Sequence, residues 1–215
     1  MKLPILAITL GDPAGVGPEI IVKALTHPQV YEQCRPLVLG DRRILERAAA
    51  WCGLPTPQFE IVEDAQTANY QPATLPLLDL HNADPAAIAP GQLSAAAGRA
   101  AVEYVFRACD MAMAGEVEAV VTAPLNKEAM NLAGFNYAGH TELLAERTKA
   151  ERGSMLLTGP KLRVVHVTTH VSLQEAIRRV TKKRVEEVID LAQRSCQALG
   201  IANPRIAVAG LNPHA

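Results

Sequence analysis

A glycine-rich loop follows the first apolar run of the chain. Gly11-Asp12-Pro13-Ala14-Gly15-Val16-Gly17 places three glycines where positive φ angles and close approach of a ligand to the backbone are possible. The spacing matches neither the dinucleotide fingerprint nor the phosphate-binding loop that ends in GK[ST]. We predict a ligand-facing loop on the cofactor side, with Gly11, Asp12, Gly15 and Gly17 as its candidate residues. The alternative is a tight turn that needs glycine for geometry alone.

Two further stretches carry groups suited to binding an anion. Asn126 and Lys127 follow an apolar run, with Asn126 a candidate helix N-cap and Lys127 able to reach an anion or to remain a solvated surface lysine. Gly139-His140-Thr141 precedes another helical pattern. As an N-cap, Thr141 would place its hydroxyl and the following amides around a phosphate or carboxylate, beside the His140 imidazole.

Three histidines later in the chain could bind a metal ion. His166 and His170 have the i, i+4 spacing of a helical metal pair, but their β-branched neighbours favour a strand. Because four residues of a strand span about 13 Å, at most one of the two would bind an ion. His170, just past the predicted strand, is the better placed, and His166 is expected to be packed or locally hydrogen-bonded. His214 follows the predicted strand Ile206–Ala209, and two imidazoles suit Zn²⁺, Co²⁺ or similar ions.

These groups need a scaffold, and the hydrophobic pattern supplies one. Short β-branched runs alternate with longer amphipathic stretches, which predicts a mostly parallel sheet covered by helices. Strands are predicted at Ile5–Leu10, Leu37–Leu39, Ala119–Thr122, Leu162–Thr168 and Ile206–Ala209, with weaker strands at Phe59–Val62 and Leu75–Leu80. Helices are predicted at Pro18–Leu25, Arg42–Cys52, Gln92–Ala114, Lys127–Ala133, Glu142–Lys149 and Lys182–Leu199. Several of these helices are expected to end at glycine.

Composition limits the class of protein. The 215 residues are 49% hydrophobic, and 21 basic residues balance 22 acidic ones, so neither a nucleic-acid nor an anionic-membrane partner is indicated. The first apolar run, Leu3–Leu10, is interpreted as a buried strand rather than a signal sequence. Four cysteines without CxxC spacing are typical of a reducing compartment, so a cytoplasmic protein with a small-molecule partner is expected.

The ordered motifs GDPAGVGPE, TAPLNKEA, GHTELLAE, HVTTH and GLNPHA together are more specific than any one of them. In this order they resemble the 4-hydroxythreonine-4-phosphate dehydrogenase family along essentially the whole chain. The resemblance implies an α/β fold like that of isocitrate and isopropylmalate dehydrogenases, with two α/β/α lobes around a cleft and a homodimer that shares its active sites. Residues 1–127 would belong to the cofactor-side lobe, and residues 128–215 to the lobe for substrate, metal and dimerisation.

The resemblance also implies an activity and roles for residues. A divalent metal (Zn, Co or Mg) held by His170 and His214 would assist oxidation of a substrate hydroxyl by NAD or NADP. His140 and Thr141 would bind the substrate, and Lys127 is a weaker catalytic candidate. The expected substrate is 4-phosphooxy-L-threonine, in pyridoxal phosphate (vitamin B6) biosynthesis, whose oxidation gives 2-amino-3-oxo-4-phosphooxybutanoate and, after loss of CO₂, 3-amino-2-oxopropyl phosphate. D-Threonate or D-erythronate 4-phosphate, or an aromatic dihydrodiol, are the alternatives within the family.

Family members continue beyond the NPHA motif, through a third metal-binding histidine and most of the cofactor-binding segments. We therefore expect the 215-residue form to retain metal weakly and to show little NAD-dependent oxidation. Two alternatives of other classes remain: a phosphate acyltransferase, which shares the lobe architecture but needs no histidine metal site, and a form that only binds or dimerises.

Overall fold

The computed structural model describes residues 2–72, 74–151 and 153–213. The chain separates into two compact units, Met1–Lys149 and Ala150–Ala215. The division into a cofactor lobe at residues 1–127 and a substrate lobe at 128–215 stays a prediction.

The first unit is built on a five-stranded parallel sheet. Its strands are β1 (Ile5–Thr9), β2 (Arg35–Gly40), β3 (Gln58–Ile61), β4 (Thr74–Asp79) and β5 (Ala119–Thr122). The strand order is β3-β4-β2-β1-β5, and every neighbouring pair is parallel. This confirms the predicted α/β class, because parallel strands require crossover connections such as helices.

Helices connect the strands and cover both faces of the sheet. They are α1 (Gly17–Ala24), α2 (Pro28–Gln33), α3 (Arg42–Trp51), α4 (Ala95–Met113), α5 (Lys127–Leu132) and α6 (His140–Arg147). Alternate residues of β2 face opposite cores: Val38 packs with α1 and α3, whereas Leu37 and Leu39 pack with the second half of α4. Such alternation follows from the two-residue period of a strand. Four helices end before a glycine at positive φ, at Gly53, Gly115, Gly134 and, in the second unit, Gly200, as predicted.

A third apolar cluster fixes α5 and α6 against α4. Val102, Val105 and Cys109 of α4 contact Met130 of α5 and Leu143 of α6 in this cluster. A fully buried side chain of this kind contributes roughly 1.5–3 kcal/mol. The cluster therefore determines where the first residues of α5 and α6 lie, which are Lys127 and His140.

The second unit is smaller. An antiparallel hairpin, β6 (Leu156–Thr158) and β7 (Arg163–Val165), is followed by α7 (Leu173–Arg179) and α8 (Lys182–Ala198). The predicted strand Leu162–Thr168 is thus shortened to three residues. The predicted strand Ile206–Ala209 was wrong: this segment is not a strand, and Val208 is 59% exposed. An apolar run becomes a strand only when a neighbouring strand pairs with its backbone, and the described residues supply no such pairing there.

Within the described ranges, no helix combines the length and apolar character needed to cross a membrane.

Candidate functional site

The order of strands singles out one edge of the sheet. From β1 the chain crosses to β2 on one side, while β5 lies on the other side of β1. Ligands of open α/β sheets bind at the carboxyl ends of strands where connections diverge in this way. The loops that leave this point are residues 10–16 after β1 and residues 123–126 after β5, and both were predicted from sequence to bind ligands.

The glycine loop is packed against the loop that follows β5. Gly11 has φ +71°, and a Cβ at this position would collide with the Pro124 carbonyl oxygen and lie 2.9 Å from the Ala123 carbonyl carbon. The amide of Asp12 donates to the Pro124 carbonyl at 2.9 Å. A Cβ on Gly17 would likewise collide with the Leu10 carbonyl. Packing therefore accounts for glycine at positions 11 and 17, whereas a role of Gly11, Gly15 and Gly17 in cofactor binding stays a prediction.

Asp12 is a nearly buried carboxylate in this loop. It is 6% exposed, its Oδ1 accepts the Ala14 amide at 2.8 Å, and its carbonyl accepts the Gly15 amide at 2.9 Å. Burial raises the pKa of Asp12, and the hydrogen bond from Ala14 acts in the opposite direction. The side chain thus stabilises the turn, and its predicted place on the cofactor side stays a prediction.

The second loop ends in a well-formed helix cap. Asn126 Oδ1 accepts the amides of Glu128 at 2.9 Å and Ala129 at 3.1 Å, which confirms Asn126 as the N-cap of α5. Lys127 is the first helical residue and is exposed. Among the described residues its ammonium has no hydrogen bond or ion pair, so its charge is available to a ligand.

The Lys127 side chain reaches across to the start of α6. A Cβ built on Gly139 would lie 3.6 Å from Lys127 Cε, 4.0 Å from its Nζ and 3.8 Å from Glu142 Oε2. The ammonium therefore lies beside Gly139, the residue that precedes His140, with a carboxylate nearby. Two motifs that are 13 residues apart in sequence, at positions 127 and 140, are brought together here.

His140 is the first residue of α6 and is held beside the loop after β5. Its Nε2 is buried and has no hydrogen-bond partner among the described residues. Burial lowers the pKa of His140, while a hydrogen bond with the Ala123 backbone acts to raise it. Burial thus favours the neutral imidazole, and a buried nitrogen without a partner among the described residues is a group that a ligand could satisfy.

Thr141 does not have the predicted capping role. Helix α6 begins at His140, its N-cap is Gly139, and Thr141 is the second helical residue with an exposed side chain. No side chain caps this helix, because the capping position is taken by a glycine in extended conformation, with φ 167°. Thr141 remains close to the helix N-terminus, where its hydroxyl stays a candidate substrate contact.

The predicted metal ligands lie in the second unit. His170 is exposed, with φ +55°, and follows β7 after a short irregular segment. His166 also lies outside the strand, so the argument from strand spacing does not apply to it. Its carbonyl accepts the Ser154 hydroxyl at 2.7 Å, and its Nδ1 is buried without a described partner. His214 lies outside the described residues.

A different acidic cluster occurs in the first unit, at the carboxyl ends of β2 and β4. Potential ligand atoms of Asp41, Asp79 and His81 lie within 4.8 Å of one another. However, Asp41 already accepts Arg43 Nε at 3.0 Å, Arg43 Nη2 at 2.8 Å and the Ala83 amide at 2.9 Å. Burial acts to raise the pKa of Asp41, but these hydrogen bonds outweigh it and hold the pKa below its ordinary value. The arginine therefore takes the place that a cation would need.

The first unit is thus an α/β structure that presents a lysine, a neutral histidine and a glycine-rich loop at the switch point of a parallel sheet. The family model described as pyridoxal phosphate biosynthetic protein PdxA matches residues 32–215. A D-threonate 4-phosphate dehydrogenase from Cupriavidus necator is 45% identical over 213 residues, which are 99% of this chain and 63% of that protein. The chain belongs to the PdxA family, which confirms the resemblance seen in its motifs.

Solved structures agree with this assignment. A 4-hydroxythreonine-4-phosphate dehydrogenase from Burkholderia phymatum matches with a TM-score of 0.90 and 46% identity, over 100% of this chain and 64% of that one. A terephthalate 1,2-cis-dihydrodiol dehydrogenase from Burkholderia xenovorans matches with a TM-score of 0.67 and 32% identity, over 94% of this chain and 60% of that one. The chain spans less than two thirds of the length of each of these relatives.

Proposed function

We propose that the protein oxidises a hydroxyl of a small phosphorylated hydroxy acid, with NAD or NADP as hydride acceptor. The observation that carries the proposal is the position of the Lys127 ammonium, unpaired among the described residues, beside Gly139 and the start of α6 at the switch point of the sheet. The relatives named above supply the chemical class. D-Threonate 4-phosphate is the first candidate, because a curated relative that aligns with 99% of the chain is named for it. 4-Phosphooxy-L-threonine, the substrate expected from sequence, is the second.

The anionic end of the substrate is assigned to the start of α6. Helix N-termini present backbone N–H groups that lack partners within the helix, and their dipole favours negative charge. Lys127 adds a full positive charge beside the same end, and the Thr141 hydroxyl adds a donor on the exposed side. These donors match a phosphate dianion, which offers several acceptor oxygens, although the Glu142 carboxylate near Gly139 offsets part of the Lys127 charge.

The neutral His140 is assigned to a hydrogen bond with the substrate. Burial favours the neutral imidazole, which donates through one nitrogen and accepts through the other, whereas a protonated imidazole can only donate. Within the part of the chain that the structure describes, its Nε2 has no hydrogen-bond partner. His140 therefore orients the substrate without adding a second positive charge next to Lys127.

NAD(P) and a metal ion would supply the redox and Lewis-acid chemistry. A divalent ion bound by the imidazoles of His170 and His214 would lower the pKa of the substrate hydroxyl, and NAD(P)⁺ would accept the hydride. The donor set fits Zn²⁺ or Co²⁺ better than Mg²⁺, because borderline ions prefer nitrogen and Mg²⁺ prefers oxygen. The glycine loop is assigned to the cofactor side, with the candidate residues Gly11, Asp12, Gly15 and Gly17. A homodimer with shared active sites and a cytoplasmic location belong to the same proposal.

The proposed substrates determine the products. Oxidation at the carbon β to the carboxylate moves a hydride to NAD(P)⁺ and releases the hydroxyl proton, which leaves a β-keto acid. A β-keto acid loses CO₂, and a phosphorylated ketone remains. One CO₂ is therefore expected for each cofactor reduced.

A substrate panel tests this proposal. NAD⁺ and NADP⁺ reduction would be followed with D-threonate 4-phosphate, D-erythronate 4-phosphate, 4-phosphooxy-L-threonine and unphosphorylated D-threonate. Each reaction would be run after chelation and again with Zn²⁺, Co²⁺ or Mg²⁺ restored. Any cofactor reduction is expected to require both a phosphorylated substrate and restored metal. Equal rates after chelation would contradict the metal assignment, and acyl transfer to phosphate without any cofactor reduction would support an acyltransferase instead.

A further inference from the structure

Arg47, on α3, connects two loops that are far apart in sequence. Its Nη2 donates to the Pro13 carbonyl at 3.0 Å, within the glycine loop. Its Nη1 donates to the carbonyls of Pro85 at 3.2 Å and Ile88 at 2.8 Å, in the loop between β4 and α4. The Gly91 amide also donates to the Ala14 carbonyl at 2.7 Å, so the two loops are joined directly as well.

The guanidinium is partly buried and has no acidic partner. Among the described residues Arg47 forms no ion pair, and its Nε is buried without a hydrogen-bond partner. Its Cζ lies 4.9 Å from the centre of the Trp51 ring. Burial lowers the pKa of Arg47, which is the direction expected for a cation removed from water without a counter-ion. Removing the guanidinium charge from water costs free energy, and its three hydrogen bonds to carbonyls offset part of that cost.

Arginine suits this position better than lysine. A guanidinium is a planar fork with several N–H donors, so one side chain can reach three carbonyls on two loops. A lysine ammonium is a single point at the end of a flexible chain and cannot hold both loops in the same geometry.

We propose that Arg47 is a positioning residue that acts through the glycine loop on the candidate ligand site at the switch point of the sheet. The loop fixed at Pro13 also contacts the loop after β5, through the hydrogen bond from Asp12 to Pro124. That second loop leads directly to Lys127. Loss of the Arg47 contacts would therefore displace the glycine loop and lower the affinity of the adjacent site for its ligand. This proposal rests on the proposed function for its ligand, but its structural part can be measured separately.

The test compares Arg47→Lys with Arg42→Lys. Both changes keep the charge and lie on α3, but Arg42 is exposed and pairs with Glu46 rather than with the loops. Hydrogen exchange would be followed at the amides of Asp12, Gly15 and Gly91, and binding of D-threonate 4-phosphate would be measured by calorimetry. In Arg47→Lys we expect exchange at these amides to accelerate by about tenfold or more, with a comparable loss of affinity. In Arg42→Lys both quantities should change by less than about twofold.

Rescue separates positioning from general stability. In Arg47→Ala, methylguanidinium should restore slow loop exchange and ligand affinity, whereas methylammonium should not, because only the planar group can span both loops. Arg47→Gln replaces Arg47→Lys if the latter does not melt in a single transition. Loop exchange unchanged in the Arg47 variants, or faster exchange with unchanged affinity, would overturn the proposal. If the wild-type protein binds no phosphorylated hydroxy acid, the proposed function fails, and the exchange measurement still decides whether Arg47 holds the loop.

Discussion

Gly98→Ala is predicted to destabilise the first unit by forcing α5 away from α4. A Cβ on Gly98 would lie 2.6 Å from the Met130 amide nitrogen and closer still to the Ala129 carbonyl. All of these atoms belong to the backbone of α5, so no flexible side chain can move aside. Overpacking of this kind costs typically about 1–3 kcal/mol, and occasionally more. Alanine is favoured over glycine within a helix by about 1 kcal/mol, which offsets part of that cost.

Because the contacts are with rigid backbone atoms, we take the overpacking cost at the upper end of that range, which leaves a net loss of about 2 kcal/mol. This corresponds to a fall in Tm of about 4–8 °C for a protein of this size. Trp51 is the only tryptophan of the chain and lies in α3, so its fluorescence reports unfolding of the first unit. Gly153→Ala, in the second unit, is a control for an added methyl group that meets nothing within 4 Å, and it should leave the Trp51 transition unchanged. A Gly98→Ala protein at least as stable as the wild type would refute the close packing of α4 on α5 and, with it, the placement of Lys127.

Three further predictions concern α5 and α6. Asn126→Ala removes the cap of α5 and should cost about 1 kcal/mol in chemical denaturation, whereas an unchanged midpoint would show that the cap is not needed. Thr141→Ala should leave Tm unchanged while raising KM for phosphorylated substrates, and a lower Tm with unchanged KM would reinstate the capping role. Burial lowers the pKa of His140 from 6.5, so the unfolded chain binds more protons just below that pH. The free energy of unfolding should therefore fall as the pH drops through 6.5, and His140→Asn should lose this part of the pH dependence. An equal pH dependence of the free energy of unfolding in the wild type and in His140→Asn would contradict this prediction.

Local patterns predicted the parts of the fold that depend on local properties. Ile5–Thr9 and Ala119–Thr122 are apolar, β-branched runs, and both form strands of the sheet. Asn126 was predicted as a cap from its residue type and its place before a helical pattern, and capping is a local contact: its side chain accepts the amides two and three residues ahead. The predicted strand Ile206–Ala209 was wrong because strand formation requires a pairing partner, which an apolar pattern does not specify.

The site itself depended on contacts that a local pattern does not contain. Thr141 was expected to cap α6 from its residue type, but the N-cap is Gly139, in extended conformation, and the helix starts two residues earlier than predicted. Arg47 had the pattern of an ordinary helical arginine, and its partners lie at Pro13, Pro85 and Ile88. The sequence offered a resemblance that grouped the motifs. The packing of α4, α5 and α6 is what places Lys127 next to the start of α6.

Lys127 and His140 are proposed to bind a phosphorylated hydroxy acid at the switch point of the sheet. Calorimetric binding of D-threonate 4-phosphate to the wild type, Lys127→Met and His140→Asn tests it most directly, with Lys23→Met as a control that removes one exposed charge elsewhere in the first unit. We expect each site variant to bind at least about tenfold more weakly, which corresponds to about 1.4 kcal/mol, while the control binds like the wild type. Unphosphorylated D-threonate should bind weakly to all four proteins. Equal affinity of the wild type and both site variants for D-threonate 4-phosphate would contradict the account.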